Sequence, residues 1–104
     1  MEHQDLLSGF IRLHVLHHAT EEGLYGQWMI DELAQHGYRV SPGTLYPMLH
    51  SMERKGYLVS RTERAGRTQR RVYRATPYGI EALALAQEKI LELFHEVISK
   101  SARS

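Results

Sequence analysis

The sequence predicts a mainly helical α+β domain in which three helices precede a two-stranded ribbon and a long fourth helix follows it. Apolar residues recur with helical spacing in residues 5–19, 25–37 and 41–56. Two stretches rich in Val, Tyr and Thr, residues 57–64 and 69–75, flank a short glycine-containing segment, as in a hairpin. Helical spacing returns from residue 77 to about residue 99. With 104 residues, the chain has room for a single core.

The first two helices are delimited by apolar positions and by glycines. Apolar residues lie around most of the circumference of the first helix, so we expect it to be well buried. The second helix begins near Tyr25 and stops near Gly37. Its expected inward residues are Trp28, Met29, Ile30, Leu33 and Ala34.

The third helix has a strong start signal. Ser41 is expected to cap it by accepting hydrogen bonds from free backbone N–H groups, and Pro42 suits its first position. Pro47 lies inside the helix and cannot bond to the carbonyl of Gly43, so we expect irregular geometry near the start. One apolar face predicts packing on a core and consists of Leu45, Met48, Leu49 and Met52.

The last helix begins with Thr76-Pro77 and carries a heptad-like apolar seam. Such a seam needs a partner surface. Because the preceding elements already form a unit, the simplest partner is the same helix of a second chain.

The net charge of +1 conceals an uneven distribution along the chain. Residues 1–38 hold one basic and six acidic side chains, whereas residues 39–74 hold nine basic and two acidic ones. A concentration of Arg and Lys in one segment is typical of a surface that binds a polyanion. The middle third of the chain is therefore the expected contact region for such a partner.

Three helices followed by a ribbon, with the positive charge in the third helix and the ribbon, indicate a winged helix-turn-helix. In that fold the third helix enters the major groove of DNA and the ribbon tip reaches the adjacent backbone or minor groove. The polar face of the third helix offers Thr44, Tyr46, His50, Ser51 and Arg54. We expect residues 1–76 to be a DNA-binding domain and residues 77–104 to be a dimerisation helix, joined as one unit.

Several motifs resemble the signature of the PadR family of transcriptional regulators. The most restrictive is Ser-Pro-Gly-Thr-Leu-Tyr-Pro at residues 41–47, and Lys55-Gly56-Tyr57-Leu58 follows it. Leu24-Tyr25-Gly26 is similar to the start of the family's second helix, and Gly66-Arg67 to its wing. Val72-Tyr73-Arg74-Ala75-Thr76, with Gly79, is similar to its strand-to-helix junction. The single short C-terminal helix resembles the small subgroup of the family.

The resemblance implies a ligand-responsive repressor that binds a palindromic operator in double-stranded DNA as a homodimer. The implied phosphate contacts are Tyr25, Gly26 and Gln27, and the implied wing contacts are Arg64, Arg67, Thr68 and Arg70. The implied groove residues are Ser41, Gly43, Thr44 and Tyr46, to which the polar helix face adds His50. The implied dimer, in which the last helix packs on the partner's first and last helices, uses Leu6, Phe10, Leu83, Ile90, Leu91, Phe94 and Val97.

Two expectations qualify this assignment. Tyr46 has two candidate roles, as an anchor of its helix and as a phosphate contact. Arg61, Arg71 and Arg74 are left out of the site as solvated strand residues that offset nearby carboxylates.

The resemblance also bears on an effector. Many members of the family sense small aromatic or cationic compounds near the dimer interface, and some stack them on a tryptophan of the last helix. The only tryptophan here is Trp28, which we expect in the core. A small-molecule effector is therefore a partner that the sequence does not identify.

Several classes of protein are disfavoured by the sequence. The absence of cysteine excludes disulfides and thiolate metal sites. No signal peptide or membrane-length apolar stretch is visible, so we expect a cytoplasmic protein without membrane contact. We find no nucleophile elbow, phosphate-binding loop or paired carboxylates, and we expect neither an enzyme nor a cofactor.

Two other functions remain open. The acidic first third would suit a winged helix that serves as a protein-interaction module. His14, His17 and His18 have the spacing that brings imidazoles onto one helical face, which would suit a metal-responsive regulator. Because no cysteine or carboxylate set completes a ligand shell, we assign no metal ligand.

Overall fold

The computed structural model of the protein describes residues 2–99 and has the predicted order of elements. The elements are α1 (Gln4–Ala19), α2 (Gly26–Gln35), α3 (Pro42–Arg54), β1 (Leu58–Ala65), β2 (Thr68–Ala75) and α4 (Pro77–Phe94), after which His95–Ser99 forms a π-helical turn. Residues 100–104 of the expected dimerisation segment lie outside the described residues. Within residues 2–99, no helix is both long and apolar enough to span a lipid bilayer.

The core lies where α1, α2, α3 and the base of the ribbon meet. The apolar stripe predicted for α3 is buried, as are Met29 and Leu33 of α2. From α1, the core takes Ile11, Val15, Leu16 and Ala19. The ribbon contributes two large side chains, Leu58 and Tyr73. This core fixes α3 and the ribbon with respect to each other.

The helices α1 and α2 are less buried than the sequence predicted. Leu6 is 76% exposed and Phe10 is also exposed, because the other elements cover only one side of α1. Trp28, expected in the core, is 37% exposed, and Ala34 also lies at the surface. The inward stripe of α2 is the i,i+4 pair Met29 and Leu33.

The start of α3 differs from expectation in two ways. The Ser41 side chain makes no capping bond, and its hydroxyl lies 3.3 Å from that of Thr44. The Ser41 carbonyl instead accepts hydrogen bonds from the N–H groups of Thr44 and Leu45. The helix also runs without interruption through Pro47. Proline removes one donor there, and the bond lost is the one to Gly43 in the exposed first turn.

The ribbon is an antiparallel hairpin with a two-residue turn. Each strand is one residue longer at the tip than the sequence predicted, since Ala65 pairs with Thr68. Gly66 has φ 63°, as expected for glycine at the first position of a tight hairpin turn. Leu24 forms a bridge with Tyr73, which ties the segment before α2 to the ribbon. No pattern in the sequence predicted the bridge between Leu24 and Tyr73.

Thr76 and Gly79 attach α4 directly to the turn between α3 and β1. The Thr76 hydroxyl accepts a hydrogen bond from the Gly79 N–H at 3.0 Å, as predicted for a cap. The same hydroxyl donates to the Gly56 carbonyl at 2.5 Å. Any side chain at Gly79 would overlap the Tyr57 carbonyl. The helix therefore starts in contact with the domain, without a linker.

We expect Thr76→Val to lower the free energy of unfolding by about 1–3 kcal/mol, because it removes the cap and strands the Gly56 carbonyl. Thr76→Ser keeps the hydroxyl and should cost less than about half of that loss. Urea denaturation at a fixed protein concentration measures both variants. Equal losses would show that the methyl group contributes as much as the hydroxyl and would contradict this assignment.

Candidate nucleic-acid interface

The first residue of α2 is in close contact with the third helix. Gly26 is buried because the ring of Tyr46 lies against it, and a methyl group on Gly26 would overlap the phenol end of that ring. Tyr46 is nevertheless 39% exposed. The geometry thus shows Tyr46 as an anchor between α3 and α2, whereas its role as a phosphate contact stays a prediction.

The ribbon reaches the same place through a cation–π contact. The guanidinium carbon of Arg70, on β2, lies 4.2 Å from the centroid of the Tyr25 ring. Because Tyr25 is the N-cap of α2 and Gly26 its first residue, α2, α3 and the ribbon converge on two adjacent residues. We call Tyr25 and Gly26 the junction. Gln27 follows it with an exposed side chain that donates to Asp31.

The groove residues predicted on α3 lie along its exposed side. Ser41 and Gly43 are exposed at the N-terminus, and Thr44 is half-buried beside them. Tyr46 and His50, one turn apart, continue this surface. Backbone N–H groups at a helix N-terminus attract anions, so the most open end of α3 also has a favourable potential for phosphate.

Three predicted wing cations are not neutralised. Within residues 2–99, none of Arg64, Arg67 and Arg70 forms an ion pair with a carboxylate. Arg67 lies in the turn next to Thr68, and Arg64 donates to the Gly66 carbonyl at 3.3 Å. These three cations are available to an external anion.

The register separates two of these cations. Arg64 pairs with Gln69, whereas Arg70 pairs with Glu63, the neighbour of Arg64. Since successive side chains of a strand point to opposite faces, Arg64 and Arg70 lie on opposite faces of the ribbon. Thr68, two residues before Arg70 on β2, lies on the face of Arg70, and Arg67 lies in the turn at the tip.

The arginines that the sequence left out of the site have local roles. Arg74 forms an ion pair with Glu63, and the hydrogen bond from Arg74 lowers the pKa of that carboxyl. Arg71 donates to the Ser60 hydroxyl at 2.8 Å. Arg61 is exposed. The positive charge of the ribbon is thus divided between internal contacts and free cations.

Glu53 positions the ribbon on α3, and the sequence analysis assigned it no such role. Its carboxylate accepts from the Ser60 N–H at 2.9 Å and from the Ser60 hydroxyl at 2.8 Å. This links the last turn of α3 to the third residue of β1. In the sequence, Glu53 is one of two acidic residues in an otherwise basic segment.

The predicted dimerisation residues form a large exposed apolar surface. Leu83 is partly buried against the core, while the other six are exposed. Two of these residues, Phe10 and Ile90, also line an open cavity of about 650 Å³ between α1, Tyr57 and α4, and Leu85 forms another part of its wall. Tyr57 and Tyr78 stack there with ring centroids 5.2 Å apart.

The histidines of α1 do not gather as the spacing suggested. His14 and His18 lie together with His36 at the end of α2, whereas His17 and His18 form a separate group with Glu21. Burial, followed by the neighbouring imidazoles of His36 and His18, lowers the pKa of His14. The sequence could not reveal His36, because it belongs to another helix.

Comparison with known proteins assigns the class. Residues 15–85 match the transcriptional regulator PadR-like family. The chain is 51% identical over 88 residues to the transcriptional regulator Rv3488 of Mycobacterium tuberculosis, covering 85% of this chain and 82% of that protein. The crystal structure of a PadR family transcriptional regulator from Eggerthella lenta is similar with a TM-score of 0.78 and 30% identity, covering 89% of this chain and 82% of that one.

A transcriptional regulator from Streptococcus has a TM-score of 0.83 at 21% identity, covering 92% of this chain and 96% of that one, which supports the fold alone. The fold and the surface described above define a winged helix-turn-helix regulator of transcription. The chain belongs to the PadR-like family, which confirms the resemblance seen in residues 41–47. It is a DNA-binding regulator by family and not an enzyme. Membership of the small subgroup stays a prediction.

We expect Gly26→Ala to lower the free energy of unfolding by about 1–3 kcal/mol, the usual cost of overpacking, because the methyl group overlaps the Tyr46 ring. In a Tyr46→Ala background the same change should cost much less, since the obstructing ring is gone. Urea denaturation of the four proteins completes this cycle. Additive losses would show that Tyr46 does not press on Gly26.

Proposed function

We propose that the protein is a homodimeric, ligand-responsive repressor that binds a palindromic operator through α3 and the ribbon. The observation that carries this proposal is the junction, where Gly26 contacts Tyr46 and Tyr25 contacts Arg70. It brings the start of α2, the exposed side of α3 and the ribbon to one place. Residues 1–76 would bind DNA, and the helix that follows, within residues 77–104, would hold the dimer.

The proposed contacts divide into two kinds. The three unpaired arginines of the ribbon, with Tyr25, Gly26 and Gln27, would contact phosphates and position the protein on the duplex. The groove residues of α3 would contact base edges, and Thr44 offers a hydroxyl for that purpose. Phosphate contacts release counterions, so affinity should fall steeply with salt. Two-fold symmetry implies half-sites about 34 Å apart, one helical turn, or a multiple of that.

The dimer proposal is supported by the apolar surface of α4. Large apolar residues such as Leu91, Phe94 and Val97 are about half exposed in the single chain. Contiguous apolar surface of this kind usually marks an interface in a protein that does not enter a membrane. A partner helix packed along α4 and the exposed part of α1, near Leu6 and Phe10, would remove it from water.

The effector would bind beside this interface. The cavity between α1 and α4 is largely apolar, and the stacked Tyr57 and Tyr78 rings give it a flat aromatic wall. A compound bound there would favour one packing of the two α4 helices over another and would shift the population of DNA-binding dimers. Action on DNA implies a cytoplasmic location.

We expect Arg67→Ala to weaken binding to all DNA sequences and to reduce the slope of log K against log salt by about 1, because one phosphate contact is lost. Thr44→Val should instead change the preference among operator variants by about 1–3 kcal/mol. Fluorescence anisotropy at two salt concentrations, with DNA flanking the protein's own coding region, measures both effects. Arg61→Ala serves as the control, since Arg61 is an exposed ribbon arginine outside the proposed site.

Three outcomes would contradict this assignment. Loss of the same size on every sequence would exclude a readout role for Thr44. A salt slope that changes as much for Arg61→Ala as for Arg67→Ala would exclude a special role for the ribbon tip. The absence of any salt-sensitive, sequence-selective complex would favour the protein-interaction alternative.

We expect Leu91→Asp to dissociate the dimer, because a carboxylate on the proposed dimer surface would have to be buried without a partner. Leu91 is 60% exposed in the single chain, so the protomer should remain folded. Light scattering coupled to size exclusion measures the mass, and circular dichroism checks the fold. Glu88→Lys, a charge change elsewhere on the same helix, should leave the dimer intact, and a monomeric wild type would refute the proposal.

A further inference from the structure

A group of three imidazoles joins α1 to the end of α2. The ring nitrogens of His14, His18 and His36 that approach one another all lie within 4.8 Å. The His14 and His36 rings are 4.8 Å apart between centroids. Glu32, on the last turn but one of α2, has one carboxylate oxygen 3.6 Å from His18 Nε2 and 3.3 Å from His36 Nε2.

We propose that His14, His18 and His36, with Glu32 as the fourth group, bind a divalent transition-metal ion of the zinc type. This site goes beyond the proposed function and does not depend on it. No metal ligand was assigned from the sequence, because the histidines of α1 alone do not complete a set of metal ligands. The fold supplies the missing groups from α2, in the form of one further imidazole and one carboxylate.

The chemistry of these groups selects the kind of ion. Imidazole nitrogen suits zinc, copper, nickel and iron, whereas magnesium and calcium prefer oxygen ligands. Three imidazoles and one carboxylate give four donors, the number usual for zinc. Donors at about 2.0–2.1 Å from a tetrahedral ion are roughly 3.3 Å apart, so the present nitrogens, which lie within 4.8 Å of one another, must approach by up to about 1.5 Å.

Glu21 prepares one of the ligands. Its carboxylate lies 3.3 Å from His18 Nδ1, on the other side of the ring from Glu32. A carboxylate that accepts from Nδ1–H holds the imidazole in the form whose Nε2 carries a lone pair. That nitrogen is the one that faces Glu32. The arrangement resembles the outer contacts that orient histidine ligands in metal sites.

A second group, His17, His18 and Glu21, shares one residue with the proposed site. The His17 and Glu21 side chains are both more than half exposed, and all three residues lie at or just beyond the end of α1. In contrast, the Glu32 and His36 side chains, which belong to the proposed site alone, are 21% and 45% exposed. The proposed site is therefore less accessible to water, and its donors come from two helices that the core already holds together.

A bound ion would connect α1 to the helix that starts at the junction. Its ligands His14 and His18 lie on α1, whereas Glu32 and His36 lie at the end of α2 opposite to Gly26. The ion would thereby restrain α2 relative to α1. Because the exposed part of α1 belongs to the proposed dimer surface, the site lies between the two surfaces that the protein is proposed to use.

The test is a titration of untagged protein with Zn²⁺ against a competing indicator chelator. We expect one ion per protomer for the wild type. His36→Gln should lose most of the affinity, and so should Glu32→Gln, because each removes one of the four donors. His17→Gln is the matched control, because it removes the neighbouring imidazole from the second group only, and it should bind like the wild type. His36 is exposed, so its replacement should leave the fold, measured by circular dichroism, unchanged.

Nitrogen chemical shifts of the imidazoles identify the ligands directly. On addition of Zn²⁺, the resonances of His14, His18 and His36 should move together, while those of His50 and His95 should not. Loss of binding in His17→Gln with retention in His36→Gln would assign the ion to the second group and overturn the proposal. Equal binding by all variants, or no binding by the wild type at 100-fold excess of metal over protein, would also overturn it. DNA binding need not be measured, so failure here is distinct from failure of the proposed function.

Discussion

The close approach of Tyr46 to Gly26 is the constraint on which the arrangement of the proposed DNA-binding surface depends. A helix normally begins equally well with many residues, but here any side chain would occupy the space of the Tyr46 ring. The absence of a Cβ at one position thus sets how near α3 lies to the start of α2. The contact of Arg70 with Tyr25 then places the ribbon relative to the same point. The start of α2, the helix α3 and the ribbon are separate in sequence, and all three meet at Tyr25 and Gly26.

The ribbon uses its arginines in two different ways. Arg71 and Arg74 are occupied with Ser60 and Glu63, and Glu53 holds Ser60 against the last turn of α3. These contacts keep the hairpin in a fixed orientation on the core. The remaining cations near the tip have no carboxylate partner within residues 2–99. The arginines of the ribbon therefore have two roles. Those that contact neighbouring side chains stabilise the ribbon, and those without a carboxylate partner contribute positive charge.

Sequence predicted the parts of the fold that depend on local patterns. The order of elements, the apolar stripe of α3 and the Thr76 cap each follow from signals within a few residues. Apolar periodicity predicts that a helix face is covered, but it does not show whether the same chain or another one covers it. The expected burial of α1 was therefore too high, since Leu6 and Phe10 are exposed in the single chain. For the candidate site, the motif placed residues on the right elements. It could not show that Arg64 and Arg70 lie on opposite faces, because that depends on register, nor that His36 meets His14, because that depends on helix packing.

The absence of a linker before α4 gives this helix a mechanical property. Its first turn is held by Thr76 against Gly56, and Gly79 fits tightly on the Tyr57 carbonyl. A straight helix of 18 residues is about 27 Å long. It can therefore rotate as a rigid rod, like a lever, about its first turn, which is attached near the end of α3. A rotation of about 5° between two such levers displaces their far ends by roughly 2 Å, about two-fifths of a helical turn. In the proposed dimer, a small change in the angle at which the two α4 helices cross would therefore alter the separation of the two α3 helices.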